Sequence, residues 1–151
     1  MSVHSAMNSG RRYTVTFKNK EHEEFYMNCL QKCKCQDVYH KALIYCLGIS
    51  GDTRQNVQRI YDFDRDSVKK ECLEEDWITS GSARVVRMAF NLFCNGTPSA
   101  YALEGDDRVK ECQRYTVEDL FGCEYAIYFW EAVKVRYPEY CYPTNLSVFG
   151  M

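Results

Sequence analysis

Hydroxyl side chains crowd a short segment, residues 77–82, which leads into a strongly amphipathic run. Serine and threonine are favoured at helix starts, where backbone N–H groups have no partner within the helix. Such a start can bind an anion or a backbone carbonyl, and arginines in the first turns add positive charge. The segment therefore predicts a docking site, with simple capping of a core helix as the structural alternative. The residues concerned are Trp77, Thr79, Ser80, Ser82, Arg84 and Arg87.

Asp37 and His40 form a second candidate pair, three residues apart on one flank of a predicted helix. A carboxylate beside an imidazole can orient it or exchange protons with it, which would suit acid–base chemistry. The interpretation that we favour is an aspartate that caps the helix beside a partly buried histidine. Because no serine or cysteine can be assigned as a partner nucleophile, we predict no catalytic residues and no enzymatic activity.

Nine cysteines, an odd number, are spread along the chain, mostly at apolar positions of helical patterns. The run Cys29-x3-Cys33-x-Cys35 with His40 nearby is the only segment that suggests a metal. Structural zinc sites usually show two well-spaced pairs such as Cys-x2-Cys, which this chain lacks. We therefore expect reduced thiols, with no metal site, no cofactor and no disulfide framework.

Acidic residues slightly outnumber basic ones, giving a formal net charge of −2. This balance argues against a duplex-DNA coat, which usually needs a basic face. Glu74, Glu75 and Asp76 form an acidic run that could stand in for phosphates in a basic channel. No apolar run reaches the length of a membrane span, and the N-terminus does not have the pattern of a secretory signal, so a cytoplasmic protein without a membrane partner is expected.

Apolar side chains recur with a helical period through most of the chain. The pattern predicts that Trp130 and Tyr137 face inward on the last helix. Gly48 is expected to end a helix in the left-handed conformation, and Asp66 or Ser67 to cap a short helix after a polar turn at residues 62–66. The indole N–H of Trp77 is expected to have a polar partner if it is buried.

The expected fold is all-α, a bundle of five or six short helices. The alternative is α+β, in which residues 13–17 form a strand that pairs with residues 99–103. Trp77 is expected to lie against the helix that follows it, and residues 97–114 to hold an exposed loop. The predicted organisation is a flexible tail at 1–12, one helical domain at 13–141 and a tail at 142–151.

Four sequence blocks carry a resemblance to known proteins. They are DVYHKALIYCLGI (37–49), TR with IYD (53–54 and 60–62), WITSGS with RMAF (77–82 and 87–90), and FWEAVKVRYPEY (129–140). In this order they resemble a family of short proteins of unknown function, found on phages and conjugative elements of gram-positive gut bacteria. The resemblance covers roughly residues 15–141. It implies an accessory mobile-element protein, for example one that counters host defence.

The absence of a catalytic motif and the presence of twelve tyrosines favour a binding protein. The leading hypothesis is a stoichiometric inhibitor, anti-CRISPR-like or anti-restriction-like, whose partner is a host bacterial defence protein such as a CRISPR effector. A second hypothesis is a sponge for a phosphorylated signalling nucleotide, held at Ser80–Ser82 with Arg84 on the phosphates. A third is a single-stranded nucleic-acid binder, whose affinity would weaken steeply with salt.

Overall fold

The structure is a computed structural model, which describes the backbone of residues 2–8 and 11–142 and the side chains of residues 14–142. Nine helices contain most of these residues. The helices are α1 (Lys20–Leu30), α2 (Val38–Leu47), α3 (Gly51–Gln55), α4 (Val57–Ile60), α5 (Ser80–Cys94), α6 (Gly105–Gln113), α7 (Val117–Phe121), α8 (Ala126–Arg136) and α9 (Pro138–Cys141). The strands are β1 (Ser2–Asn8), β2 (Arg11–Phe17), β3 (Tyr61–Asp62) and β4 (Ser67–Val68). Two 3₁₀ turns cover Lys70–Glu74 and Pro98–Ala100. The mostly helical class predicted from the sequence is confirmed.

Helix α2 lies at the centre of the core, packed against α1, α5 and α8. Six consecutive side chains, residues 42–47, are fully buried, as expected for a helix that is apolar all round. Helix α5 instead presents one apolar stripe to the core. Four of the five side chains predicted to form it are buried, and the fifth, Phe93, is partly buried against the core. The buried four are Val85, Met88, Ala89 and Leu92.

The N-terminal strands form an antiparallel hairpin that leads the chain into the core. Val15 and Phe17 of β2 are buried, so the strand predicted at residues 13–17 is confirmed. Its predicted partner was wrong, since β2 pairs with β1 and residues 98–100 form a 3₁₀ turn. The expected tail at 1–12 thus contains β1, and nearly all of the tail predicted at 142–151 lies outside the described residues.

Two other segments differ from the sequence prediction. The expected loop at 97–114 contains helix α6, which buries none of its side chains and so gives no apolar stripe to recognise. The polar turn after Tyr61 is present, but it joins the two short strands β3 and β4 into a hairpin instead of capping a helix. No helix in the described part of the chain is both long and apolar enough to cross a membrane.

All nine cysteines fall within the described residues and are free thiols. Cys29, Cys33, Cys46 and Cys72 are buried. Burial raises the pKa of each of these four thiols, to about 12 for Cys33 and Cys72. Thiols so hard to ionise are poor nucleophiles, which favours a packing role for these four residues.

His22 is a fully buried imidazole near the start of α1. Its Nδ1 accepts a hydrogen bond from the Lys18 backbone N–H at 3.1 Å, and its Nε2 donates to the Tyr45 carbonyl at 2.7 Å. Burial lowers the pKa of His22 to about 4, against the opposing effect of the Tyr45 carbonyl and with help from the charges of Arg54 and Lys18. The ring is therefore neutral at physiological pH.

Acidification is expected to destabilise the fold through His22. The unfolded chain binds a proton at this residue below pH 6.5, whereas the folded chain does so only near pH 4. The neutral His22 ring stabilises the fold above pH 6.5, and the free energy of unfolding should fall by about 3 kcal/mol as the pH approaches 4. Urea unfolding across this range, compared with a His22→Gln variant, isolates the effect. Ring NMR that shows His22 titrating near its ordinary pKa would contradict it.

Candidate functional site

The most concentrated polar cluster surrounds His40, a buried imidazole held between two carboxylates. Its Nδ1 lies 2.7 Å from Oδ1 of Asp37, and its Nε2 lies 2.7 Å from Oδ1 of Asp66. The Tyr61 hydroxyl donates a short hydrogen bond to the same Asp66 oxygen. The predicted Asp37–His40 contact is thus present, and Asp66 and Tyr61 join it from a segment that sequence reasoning did not connect to it.

Local structure explains how these residues meet. Asp37 is the N-cap of α2 and accepts a hydrogen bond from the His40 backbone N–H at 3.0 Å, which places His40 in the first turn. Asp66 ends the turn between β3 and β4 with φ 54°, in the left-handed region that Asp and Asn tolerate best among residues with a side chain. The hairpin thereby brings the Asp66 carboxylate to the far side of the His40 ring.

The His40 ring and the two carboxylates each favour the charged form of the other. Burial opposes protonation of His40, but its hydrogen bonds to Asp37 and Asp66 and their negative charges raise the pKa of His40 above its ordinary value. Burial likewise opposes ionisation of Asp37, but hydrogen bonds from the His40 backbone, the His40 ring and the Cys35 thiol lower the pKa of Asp37. Both ring nitrogens of His40 bond carboxylate oxygens, which favours the protonated form of the ring, and neither nitrogen is free to take a proton from a substrate.

The same cluster includes groups that could hold a metal ion. Ligand atoms of Cys35, Asp37 and His40 all lie within 4.8 Å of one another. Cys35 and Asp37 are exposed, while His40 is buried. Sequence reasoning considered Cys35 and His40 as part of its one metal candidate, but it rejected that candidate for lack of paired cysteines and did not include Asp37.

The hydroxyl-rich segment before α5 forms a closed cap. Thr79 is the N-cap: its Oγ1 accepts from the Ser82 backbone N–H at 3.1 Å, while the Thr79 backbone N–H donates to Ser82 Oγ at 2.7 Å. Trp77 is half-buried against the core, and its indole N–H donates to a Glu75 carboxylate oxygen at 2.7 Å, which confirms the expected polar partner. The Thr79 and Ser82 hydroxyls thus bond each other and the backbone of the cap, whereas Ser80 takes no part in it.

The two arginines predicted to serve this helix start point to other partners. Arg84 Nε donates to the Asp119 carbonyl at 3.0 Å, which ties α5 to α7. Arg87 forms a two-bond ion pair with Glu111, at 2.8 and 2.9 Å. Ser99 also donates to Glu111. The structure therefore does not gather these arginines around Ser80, and both hold helices together.

Removal of the Thr79 hydroxyl should cost more stability than removal of the Ser80 hydroxyl. Thr79→Ala removes the N-cap acceptor and is expected to lower the free energy of unfolding by about 1 kcal/mol. Ser80→Ala should change it by less than about 0.5 kcal/mol, because the Ser80 side chain is exposed and has no hydrogen-bond partner among the described residues. Urea unfolding of both variants makes the comparison. Equal losses would contradict the assignment of Thr79 as the cap.

The acidic run at 74–76 divides into two kinds of side chain. Glu75 accepts from Trp77 and lies 3.7 Å from Arg59 Nη1. Glu74 and Asp76 are exposed. Only these two of the three predicted carboxylates are therefore unpaired at the surface among the described side chains.

Comparison with known proteins places the chain in a family. A family model described as "Family of unknown function (DUF6075)" matches residues 12–147. The chain belongs to this family, which confirms the prediction of an uncharacterised domain family. No curated protein and no solved structure matches the chain.

Proposed function

We propose that this protein acts without catalysis by binding another protein through an exposed strip of aromatic and aliphatic side chains on α8 and α9. The strip consists of Ile127, Trp130, Tyr137 and Tyr140, whose exposed fractions are 57%, 50%, 38% and 86%. The sequence analysis had taken Trp130 and Tyr137 to point inward, which was wrong. Their exposure is the observation that carries the proposal.

Helix α8 is apolar on both of its sides. Phe129 and Ala132 fill the core side, whereas Ile127 and Trp130 lie one turn apart on the outer side. A helix that is apolar all round normally has both sides covered. Large exposed apolar groups close together mark interaction surfaces, and tryptophan and tyrosine are the residues most often found at the energetic centre of an interface.

Arg136 holds part of this surface in place before any partner arrives. Its guanidinium lies 3.7 Å from the centre of the Tyr39 ring and 4.5 Å from the centre of the Tyr137 ring. Arg136 itself is buried and bonded to the end of α5. Because Tyr137 is already restrained, less conformational entropy is lost when a partner binds.

The partner class proposed is a host bacterial defence protein, such as a CRISPR effector or a restriction enzyme, met in the host cytoplasm during phage or mobile-element transfer. This part rests on the resemblance of the four sequence blocks. Glu74 and Asp76 add exposed negative charge that would suit a basic nucleic-acid channel. We favour this reading over the nucleotide sponge because Arg84 and Arg87 are bonded to Asp119 and Glu111.

A plating assay tests the proposal directly. The protein is expressed in hosts that each carry one defined defence system, and the efficiency of phage plating is measured. We expect plating to be restored in one host and the defence component of that host to copurify with the protein in fixed ratio. Failure to restore plating against a broad panel would count against counter-defence.

Three double variants locate the surface. Ile127→Ser with Trp130→Ser should abolish restoration, whereas Val109→Ser with Val117→Ser, which alters apolar side chains of similar or greater exposure elsewhere, should not. Glu74→Lys with Asp76→Lys should weaken restoration if the partner is basic, and it leaves the bonded Glu75 in place. Full activity of the Ile127/Trp130 variant would exclude the strip.

A further inference from the structure

We propose that Cys35, Asp37 and His40 form a binding site for a divalent transition metal ion of the zinc type. The ligands would be Cys35 Sγ, an Asp37 carboxylate oxygen and His40 Nδ1. The site is separate from the aromatic strip and does not depend on the proposed protein-binding function. It also departs from the sequence analysis, which expected no metal.

The three ligand atoms are near enough for one metal ion to bind them after a rearrangement of about 1 Å or less. All three lie within 4.8 Å of one another. Metal–ligand bonds of about 2.0–2.3 Å in a tetrahedron place the ligand atoms roughly 3.3–3.8 Å apart. Nδ1 and the Asp37 oxygen are 2.7 Å apart around a shared proton, so they would separate by less than about 1 Å when a cation takes the proton's place.

A second layer of hydrogen bonds supports the ligand. His40 Nε2 is bound to Asp66 at 2.7 Å, and Asp66 also accepts from the Tyr61 hydroxyl. A metal-bound histidine almost always donates its other ring N–H to such a carboxylate, which fixes the ring and makes it a better ligand. Here Asp66 bonds Nε2 while Nδ1 faces Asp37.

The turn conformation of Asp66 positions its carboxylate. Asp66 adopts φ 54°, in the left-handed region that aspartate tolerates. In this conformation its carboxylate reaches both His40 and Tyr61.

The mixed donor set selects the kind of ion. One thiolate, one imidazole and one carboxylate suit zinc, whereas calcium and magnesium prefer oxygen ligands alone. Exposure of Cys35 and Asp37 gives the ion a path to the site. Binding releases the Cys35 thiol proton and the proton on His40 Nδ1, and a water molecule completes four-coordination.

Cobalt(II) substitution tests the site in the purified full-length chain under reducing conditions. We expect one equivalent of cobalt to bind with a thiolate-to-cobalt charge-transfer band and the strong visible bands of a tetrahedral site. Zinc should displace the cobalt and remove both signals. Binding without a charge-transfer band, or absence of stoichiometric binding, would overturn the proposal.

Variants separate this site from the other thiols of the chain. Cys35→Ser should lose the charge-transfer band, whereas Cys112→Ser, also at an exposed thiol, should keep it. Asp66→Asn retains a residue suited to the left-handed backbone and should weaken zinc binding about 10- to 100-fold through loss of the supporting carboxylate. Circular dichroism verifies that each variant is folded. An unchanged band in Cys35→Ser, or loss of the band in Cys112→Ser as well, would overturn the proposal.

Discussion

Replacement of Gly48 by alanine is expected to destabilise the fold by roughly 3 kcal/mol, through forced overpacking of the core. A Cβ at this position would lie 2.5 Å from His22 Cδ2 and 2.9 Å from Phe25 Cδ1. The His22 ring cannot easily retreat, because it is fully buried and packs against the rings of Phe17 and Tyr45 at centroid distances of 5.2 and 4.5 Å. Chemical unfolding of the variant measures the loss.

Gly51→Ala is the matched control. A Cβ there would meet only the Arg54 Nη2 at 3.6 Å, an ordinary contact with the end of a flexible side chain. Gly51 is the first residue of α3, so alanine should be neutral or slightly stabilising. A Gly48→Ala protein as stable as Gly51→Ala would show that the His22 ring is not confined as described.

Replacement of Arg136 by methionine is expected to cost about 1–3 kcal/mol, because the buried Leu92 carbonyl loses its donor and the exposed Asn95 side chain loses a hydrogen bond. Arg136 Nε donates to the Leu92 carbonyl at 3.0 Å, and Nη2 donates to Asn95 Oδ1 at 2.9 Å. Both acceptors lie at the C-terminus of α5, where a positive charge is also favourable. Chemical unfolding, with near-ultraviolet circular dichroism to follow the tyrosines that stack on Arg136, measures the effect.

Two further arginine variants sharpen this test. Arg136→Lys keeps the charge but cannot bond both acceptors while stacking on two rings, so it should recover only part of the lost stability. Arg65→Met removes an arginine that is 86% exposed and should change stability by less than about 0.5 kcal/mol. If Arg136→Lys fully restores stability, charge alone accounts for the role of Arg136.

The elements predicted correctly from the sequence are those that depend on residues close together in the chain. The apolar stripe of α5, its threonine cap and the Asp37 cap of α2 all depend on residues within a few positions of one another. Helix α6 was missed because it packs little apolar surface, so its side chains show no periodicity. Gly48 was expected to take a left-handed conformation, but its φ is −81°, and its lack of a side chain serves close packing instead.

The candidate sites were less predictable because they depend on contacts between distant segments. Asp66 reaches His40 across 26 positions, through a hairpin turn whose strands are two residues long. Arg84 and Arg87 were assigned to the helix start from their sequence neighbours, but Asp119 and Glu111 lie far along the chain. Trp130 was assigned to the core because hydrophobicity alone cannot distinguish a buried side chain from an exposed one.

The buried cysteines can be used as natural probes of local unfolding. Alkylating reagents attack the thiolate, so a thiol that is both shielded and hard to ionise reacts only when its surroundings open. Cys29 lies in α1, Cys46 in α2 and Cys72 in the 3₁₀ turn at Lys70–Glu74. Pulsed alkylation followed by peptide mass spectrometry would therefore measure the rate of local opening in three separate regions, without any substitution in the chain.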